Sequence, residues 1–126
     1  MFSHMTIGSN DLDRSKTFYD SLFAALGGKP GFVDPKGRLV YLHNGATLLV
    51  TTPLDGQPAT AGNGSTIGFA VDGPAQADAW HDAGVANGGR SVEDPPGERT
   101  GNAVPLYLAY LRDPDDNKLC ALHRMG

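Results

Sequence analysis

At 126 residues and 13.2 kDa the chain has the size of one domain, long enough to bury roughly two thirds of the surface its unfolded form exposes. Hydrophobic residues make up 40% and charged residues 19%, which excludes the composition of a disordered segment. A net charge of -4, a pI near 5.4 and scattered basic residues exclude nucleic acid as the expected partner.

A lone cysteine, Cys120, leaves no internal disulfide and no Cys-x-x-Cys spacing for zinc. The sequence shows neither a basic and apolar leader nor an apolar run of about 18 residues able to cross a membrane. A soluble, cytoplasmic protein is therefore expected, with no membrane partner.

The chain opens on an alternating stretch, with Met5 and Ile7 on one face and His4, Thr6 and Gly8 on the other, the period of a half-buried strand. Asp11 suits a helix N-cap, and Asp13 lies in the first turn, where the helix dipole favours negative charge. Phe18, Tyr19, Leu22, Phe23 and Leu26 then recur at three- and four-residue spacing, giving a helix with an apolar stripe. Gly27-Gly28 ends it. Phe32-Val33 reads as a short strand and residues 38–43 as a longer one. Asn44-Gly45 marks a type I′ hairpin, whose two central positions need positive φ, and residues 47–51 form the returning strand.

Residues 52–64 are irregular and rich in Gly and Pro, the composition of a linker. Beyond them the pattern begins again. Ile67, Phe69 and Val71 alternate against Thr66, Gly68 and Ala70, and Gly73-Pro74 starts a second helix, proline being suited to the first helical position. Ala77, Trp80, Ala83 and Gly84 give this helix a thinner apolar face, so Trp80 is expected to carry most of its burial. Both helices end in a double glycine followed by a basic residue, Gly27-Gly28-Lys29 and Gly88-Gly89-Arg90. Residues 94–103, with paired prolines, read as a long loop without regular structure. Residues 104–111 and 118–122 read as two strands joined by the turn Asp113-Pro114-Asp115-Asp116-Asn117, in which Asp and Asn tolerate left-handed conformations.

A unit of strand, helix and three strands is thus performed twice, a repeat that governs the whole fold. That order, the His4-led strand feeding Asp11-Leu12-x-x-Ser15-x-x-Phe18-Tyr19, and the Asp113-Pro114-Asp115-x-Asn117 turn resemble the vicinal oxygen chelate superfamily of glyoxalases, bleomycin-resistance proteins and extradiol dioxygenases. The resemblance spans the chain. It implies an α+β fold of two βαβββ modules, about 1–52 and 65–126 with the linker at about 53–64, in one glyoxalase-like domain. It further implies a curled mixed sheet, helices on its convex side and a concave cleft. Members usually work as homodimers, and some build the cleft from two subunits.

In metal-using relatives a divalent ion is held by residues on the first and last strands of each module. The resemblance carries the four positions onto His4, Leu49, Thr66 and Cys120. Only His4 matches the pattern. Leucine has no donor atom, threonine's neutral hydroxyl is a poor one, and two remaining donors are too few for a geometry-defined divalent site. A cleft with no metal and no cofactor is expected. His43, His81 and His123 read as solvated surface histidines rather than replacement ligands, and Cys120 as an inert small side chain, since no basic neighbour in sequence would lower its pKa.

Strand parity lines the expected cleft with Leu49, Thr66, Gly68, Cys120 and Leu122, and with His4 and Thr6 as polar points. Arg99 and Glu98 border its mouth as polar handles. Tyr107 and Tyr110 project from opposite faces of one strand, so one of the two joins the lining and parity alone leaves open which. Such walls suit a small organic molecule oriented by a few hydrogen bonds. The leading expectation is a non-catalytic binding protein. Beside it stand a metal-dependent lyase, isomerase or dioxygenase of the glyoxalase type, and a structural or partner-binding domain whose cleft has collapsed.

Overall fold

A computed structural model describes residues 1–126. The first run of elements is β1 (Met5–Gly8), α1 (Leu12–Ala25), β2 (Phe32–Val33), β3 (Leu39–His43) and β4 (Ala46–Thr51). The second is β5 (Ile67–Ala70), α2 (Pro74–Ala86), β6 (Arg90–Ser91), β7 (Gly97–Arg99), β8 (Leu106–Arg112) and β9 (Lys118–Arg124). The first run forms a mixed sheet in the order β1-β4-β3-β2, and the second forms one in the order β5-β9-β8-β6, with β7 added against β8. In each sheet the opening strand runs parallel to the closing one, β1 with β4 and β5 with β9, and the other pairs are antiparallel. The class is α+β, as the resemblance implied.

Local chemistry explains where the elements stop. The Asp11 carboxylate accepts a hydrogen bond from Arg14 N at 3.0 Å and caps α1, and Gly27, at a φ of 78°, terminates it. Asn44 and Gly45 take φ values of 49° and 79°, the left-handed pair that a type I′ hairpin needs. One expectation fails in the second run. Residues 94–103 contain β7, whose pairing with β8 resumes immediately after the prolines, and β6 adds a short strand ahead of it. A proline at an edge or strand start removes only a donor that faces away from the ladder, so Pro95-Pro96 delays the strand without preventing it.

Sixteen buried residues form one core shared by both runs. On each sheet they come from a single face: Leu39, Tyr41, Leu48 and Val50 in the first, Ala109, Leu111, Leu119 and Ala121 in the second. Both helices lie against these faces and pack on each other. Gly84 permits that approach, because a Cβ there would meet Leu111, Leu22 and Phe18. Trp80 is fully buried and tilts against Phe69, whose ring meets Phe23 of α1 edge-on at 5.8 Å. The two runs therefore share an aromatic contact as well as a helix pair.

A polar latch joins them again. Asp113, 3% exposed in the turn between β8 and β9, accepts hydrogen bonds from Tyr19 Oη of α1 at 2.6 Å, from Asn117 Nδ2, and from the backbone of Asp115 and Asn117. Asn117 Nδ2 also donates to the Gly8 carbonyl, and Asp115 accepts from Asn10 N and from the Arg14 guanidinium. Burial pushes the Asp113 carboxyl up, against these donors, and burial together with Asp113 raises the Tyr19 phenol well above its ordinary value. Tyr19→Phe is expected to lower unfolding stability by about 1–3 kcal/mol in a denaturant titration, because it leaves a buried carboxylate short of its donor.

Asp20 supplies a pH test. Burial alone would raise its pKa, but hydrogen bonds from Lys16, Tyr41 and the Gly31 amide outweigh burial and hold it below the ordinary carboxylate value. A depressed acid contributes stability that is present above the unfolded pKa of about 3.9 and is lost as pH falls through the folded one. Urea midpoints measured from pH 7 to pH 2 should fall at the acid end, and Asp20→Asn should flatten part of that fall while lowering the plateau at neutral pH.

Candidate functional site

The side chains that alternate away from the core define a second, open face on each sheet. In a ladder, residues directly paired project on the same side. Thr6 pairs with Leu49 and Leu49 with Val40, which places these on the open face of the first sheet, and alternation puts His4 there too. Gly68 pairs with Cys120 and Ala70 with Leu122 on the open face of the second. Thr66 precedes β5 and is exposed. The sequence-derived residues thus fall into two groups on the open faces of two different sheets.

The register also separates the two tyrosines. Tyr110 pairs with Cys120 and shares the open face, whereas Tyr107 lies on the helix side and donates to Asp78 of α2 at 2.7 Å. The bond to Asp78 is the main reason that the Tyr107 phenol titrates above its ordinary value. Arg99 pairs with Leu106 and so shares the face of Tyr110, its guanidinium held by the carbonyls of Asp94 and Pro95. Glu98 pairs with Tyr107 and projects the other way.

Two residues that the sequence did not single out complete this face. The Lys118 ammonium lies 5.0 Å from the centre of the Tyr110 ring and is ion-paired with Glu93. Glu93 adopts a φ of 58°, an uncommon conformation for this residue type. Burial, then Cys120 and Glu93, push the Tyr110 phenol up, opposed by Lys118 and Arg99. Burial likewise pushes the Cys120 thiol up, so it is held protonated and unreactive at neutral pH. Glu93 lies just before the segment 94–103 read as a loop, where sequence carries no parity to place it; Lys118 has the parity of Cys120 and was legible on that ground.

The other histidines divide. His123 lies on the helix side, its ring nitrogen 3.3 Å from the Val71 carbonyl. His43 is half-buried against the edge of Phe23. His81 corrects the surface reading: it is 8% exposed and hydrogen-bonded to Ser91 Oγ at 2.9 Å, because β6 folds back over α2.

The donor set does not fit a divalent ion. The four carried-over positions supply one imidazole, one thiol held protonated, one hydroxyl and a hydrocarbon. Elsewhere in the chain no three His, Cys, Asp or Glu side chains are grouped to hold a metal. What the second open face offers is a phenol, a guanidinium and an ammonium around an apolar floor of Leu108 and Cys120. An apolar cavity of about 320 Å³ lies elsewhere, between β4 and β5, and includes only Gly68 among the residues that strand parity assigned to the cleft. No helix is long and apolar enough to cross a membrane.

Comparison with known proteins agrees with this architecture. A crystal structure of a glyoxalase/bleomycin resistance protein from Albidiferax ferrireducens T118 is 57% identical, with a TM-score of 0.94 over 98% of this chain and 99% of that one. A glyoxalase/bleomycin resistance protein/dioxygenase family enzyme from Burkholderia phytofirmans PsJN shares the fold at 17% identity, with a TM-score of 0.75 over 98% of each chain. A glyoxalase-related enzyme from Fulvimarina pelagi does so at 22% identity and a TM-score of 0.73, over 97% of this chain and 86% of that one. A search of curated proteins finds no match. A profile of the glyoxalase/bleomycin resistance protein/dioxygenase superfamily matches residues 1–121, and the chain belongs to that superfamily.

Proposed function

We propose that this chain is a cytoplasmic, metal-free binding protein for a small organic molecule, without catalysis of its own. The observation that carries the reading is the identity of the residues at the family's metal positions, where Leu49, Thr66 and Cys120 replace donors. A hydrocarbon and a protonated thiol at the centre of the two faces favour partly apolar ligands, which Tyr110, Arg99, Thr6 and His4 would orient.

The working unit in this proposal is a homodimer. Within one chain the helices cover the inner faces of both sheets, so the open faces are free to meet those of a second copy, the first sheet of one against the second sheet of the other. Phe32 and Leu42, 51% and 59% exposed, share the open face of Val40 and Leu49 and would be covered in such a pair. The cleft is then completed by association, and ligand binding and dimerisation are coupled.

An environment-sensitive apolar fluorophore, titrated against the purified protein at fixed protein concentration, tests the binding. Saturable binding that candidate ligands displace is expected, and Leu49→Arg or Cys120→Arg should abolish it by placing a charge on the apolar floor. Unchanged probe affinity in both variants, in protein that remains folded, would contradict the assignment of the open faces.

A further inference from the structure

The cavity between β4 and β5 backs onto the shared core rather than onto the open faces. Its floor is the ring of Phe23, which stacks on Tyr41 at 4.6 Å with 9° between planes and meets Phe69 and His43 edge-on at 5.8 Å each. Leu48 and Ile67 form opposite walls. Each floor ring is fixed by an aromatic neighbour, so the surface exists before any ligand arrives, and little ordering accompanies binding. The volume of about 320 Å³ is far beyond the roughly 30 Å³ of one water and reaches the range of small-molecule sites, about 300–1,000 Å³.

Polar groups line this space at two places, the β3–β4 hairpin and the edge of β5. Ring nitrogens of His4, His81 and His123 lie within hydrogen-bond distance of groups within the chain, whereas none engages His43, which lines the cavity beside Asn44. All four residues of β5 line it as well, and β5 pairs only with β9, so its other edge presents unpaired backbone N–H and C=O groups. A Cβ added to Gly68 would meet nothing within 4 Å, which keeps that edge accessible. No Lys, Arg, Asp or Glu lines the cavity, so nothing there compensates the desolvation of an ionic ligand.

We propose that this seam is a second binding site, which takes a small, neutral, planar aromatic molecule bearing one hydrogen-bonding group, of the class of a phenol. The ring lies over Phe23 and Phe69, and its hydroxyl or ring nitrogen bonds to His43 or to the free edge of β5. The site needs neither a metal nor the open faces, and stands whether or not these bind a ligand.

Titration of 1-naphthol into the isotope-labelled full chain, followed by amide NMR, separates the two sites. Saturable shifts are expected at residues 43–48 and 67–70. Ala46→Phe, at an exposed position on the cavity rim, should weaken binding at least tenfold by filling the mouth, and His43→Leu about fivefold by removing a hydrogen bond. Val85→Ser, at an exposed position of α2 outside the cavity lining, should leave the affinity unchanged. The proposal fails if the shifts are confined to Cys120, Ala121 and Leu122, if no saturation occurs at millimolar probe, or if neither rim variant changes the affinity. It fails equally if binding appears only on dilution, because a second copy would then be the occupant of the seam.

Discussion

The buried carboxylate of Asp113 is the constraint from which the arrangement of the two modules follows. It lies in the last turn of the chain yet draws its closest side-chain donor from Tyr19 on the first helix, while its neighbour Asn117 reaches the Gly8 carbonyl at the end of the first strand. A charge removed from water in this way is tolerated only when several donors surround it, and this turn provides them from its own backbone. The second module is therefore docked against the first by directional bonds at one end and by Phe23 against Phe69 nearer the other. Helix packing around Gly84 fills the space between.

Docking through the helices determines what the sheets can do. Each sheet uses one face for the shared core, and the opposite face is left open. On that face the family's metal chemistry would require four converging donors, and the chain instead presents Leu49 and Cys120 near the middle and polar groups toward the margins. Tyr110, with Lys118 over its ring and Glu93 paired to that ammonium, gives the second sheet the richer hydrogen-bonding surface. The first sheet is the more apolar, with Val40, Leu42 and Phe32 in line.

Much of this was legible from spacing alone, because the signals were local. Period two placed Thr6 and Leu49 on one face of the first sheet and Gly68, Cys120 and Leu122 on one face of the second, as the ladder registers have them. Asp11 as a cap and Asn44-Gly45 as a hairpin turn were readable because one or two residues fix each feature. Features that depend on distant partners were not. His81 looks solvated on its helix, and only the return of Ser91 across that helix buries it. The strand Gly97–Arg99 hides behind two prolines, and its partner lies in β8. The choice between Tyr107 and Tyr110 needed Asp78 and Cys120, each supplied by another element.

The character of the open faces turns on the chemistry of four side chains, His4, Leu49, Thr66 and Cys120, and the metal content of the native protein addresses it most directly. Protein purified without chelators or an affinity metal, equilibrated with magnesium, manganese, nickel and zinc in turn and then analysed for elements, should retain each ion well below one per chain. Retention of any one of them at near-stoichiometric level, lost in a His4→Ala variant, would contradict the claim that the open faces have no metal site.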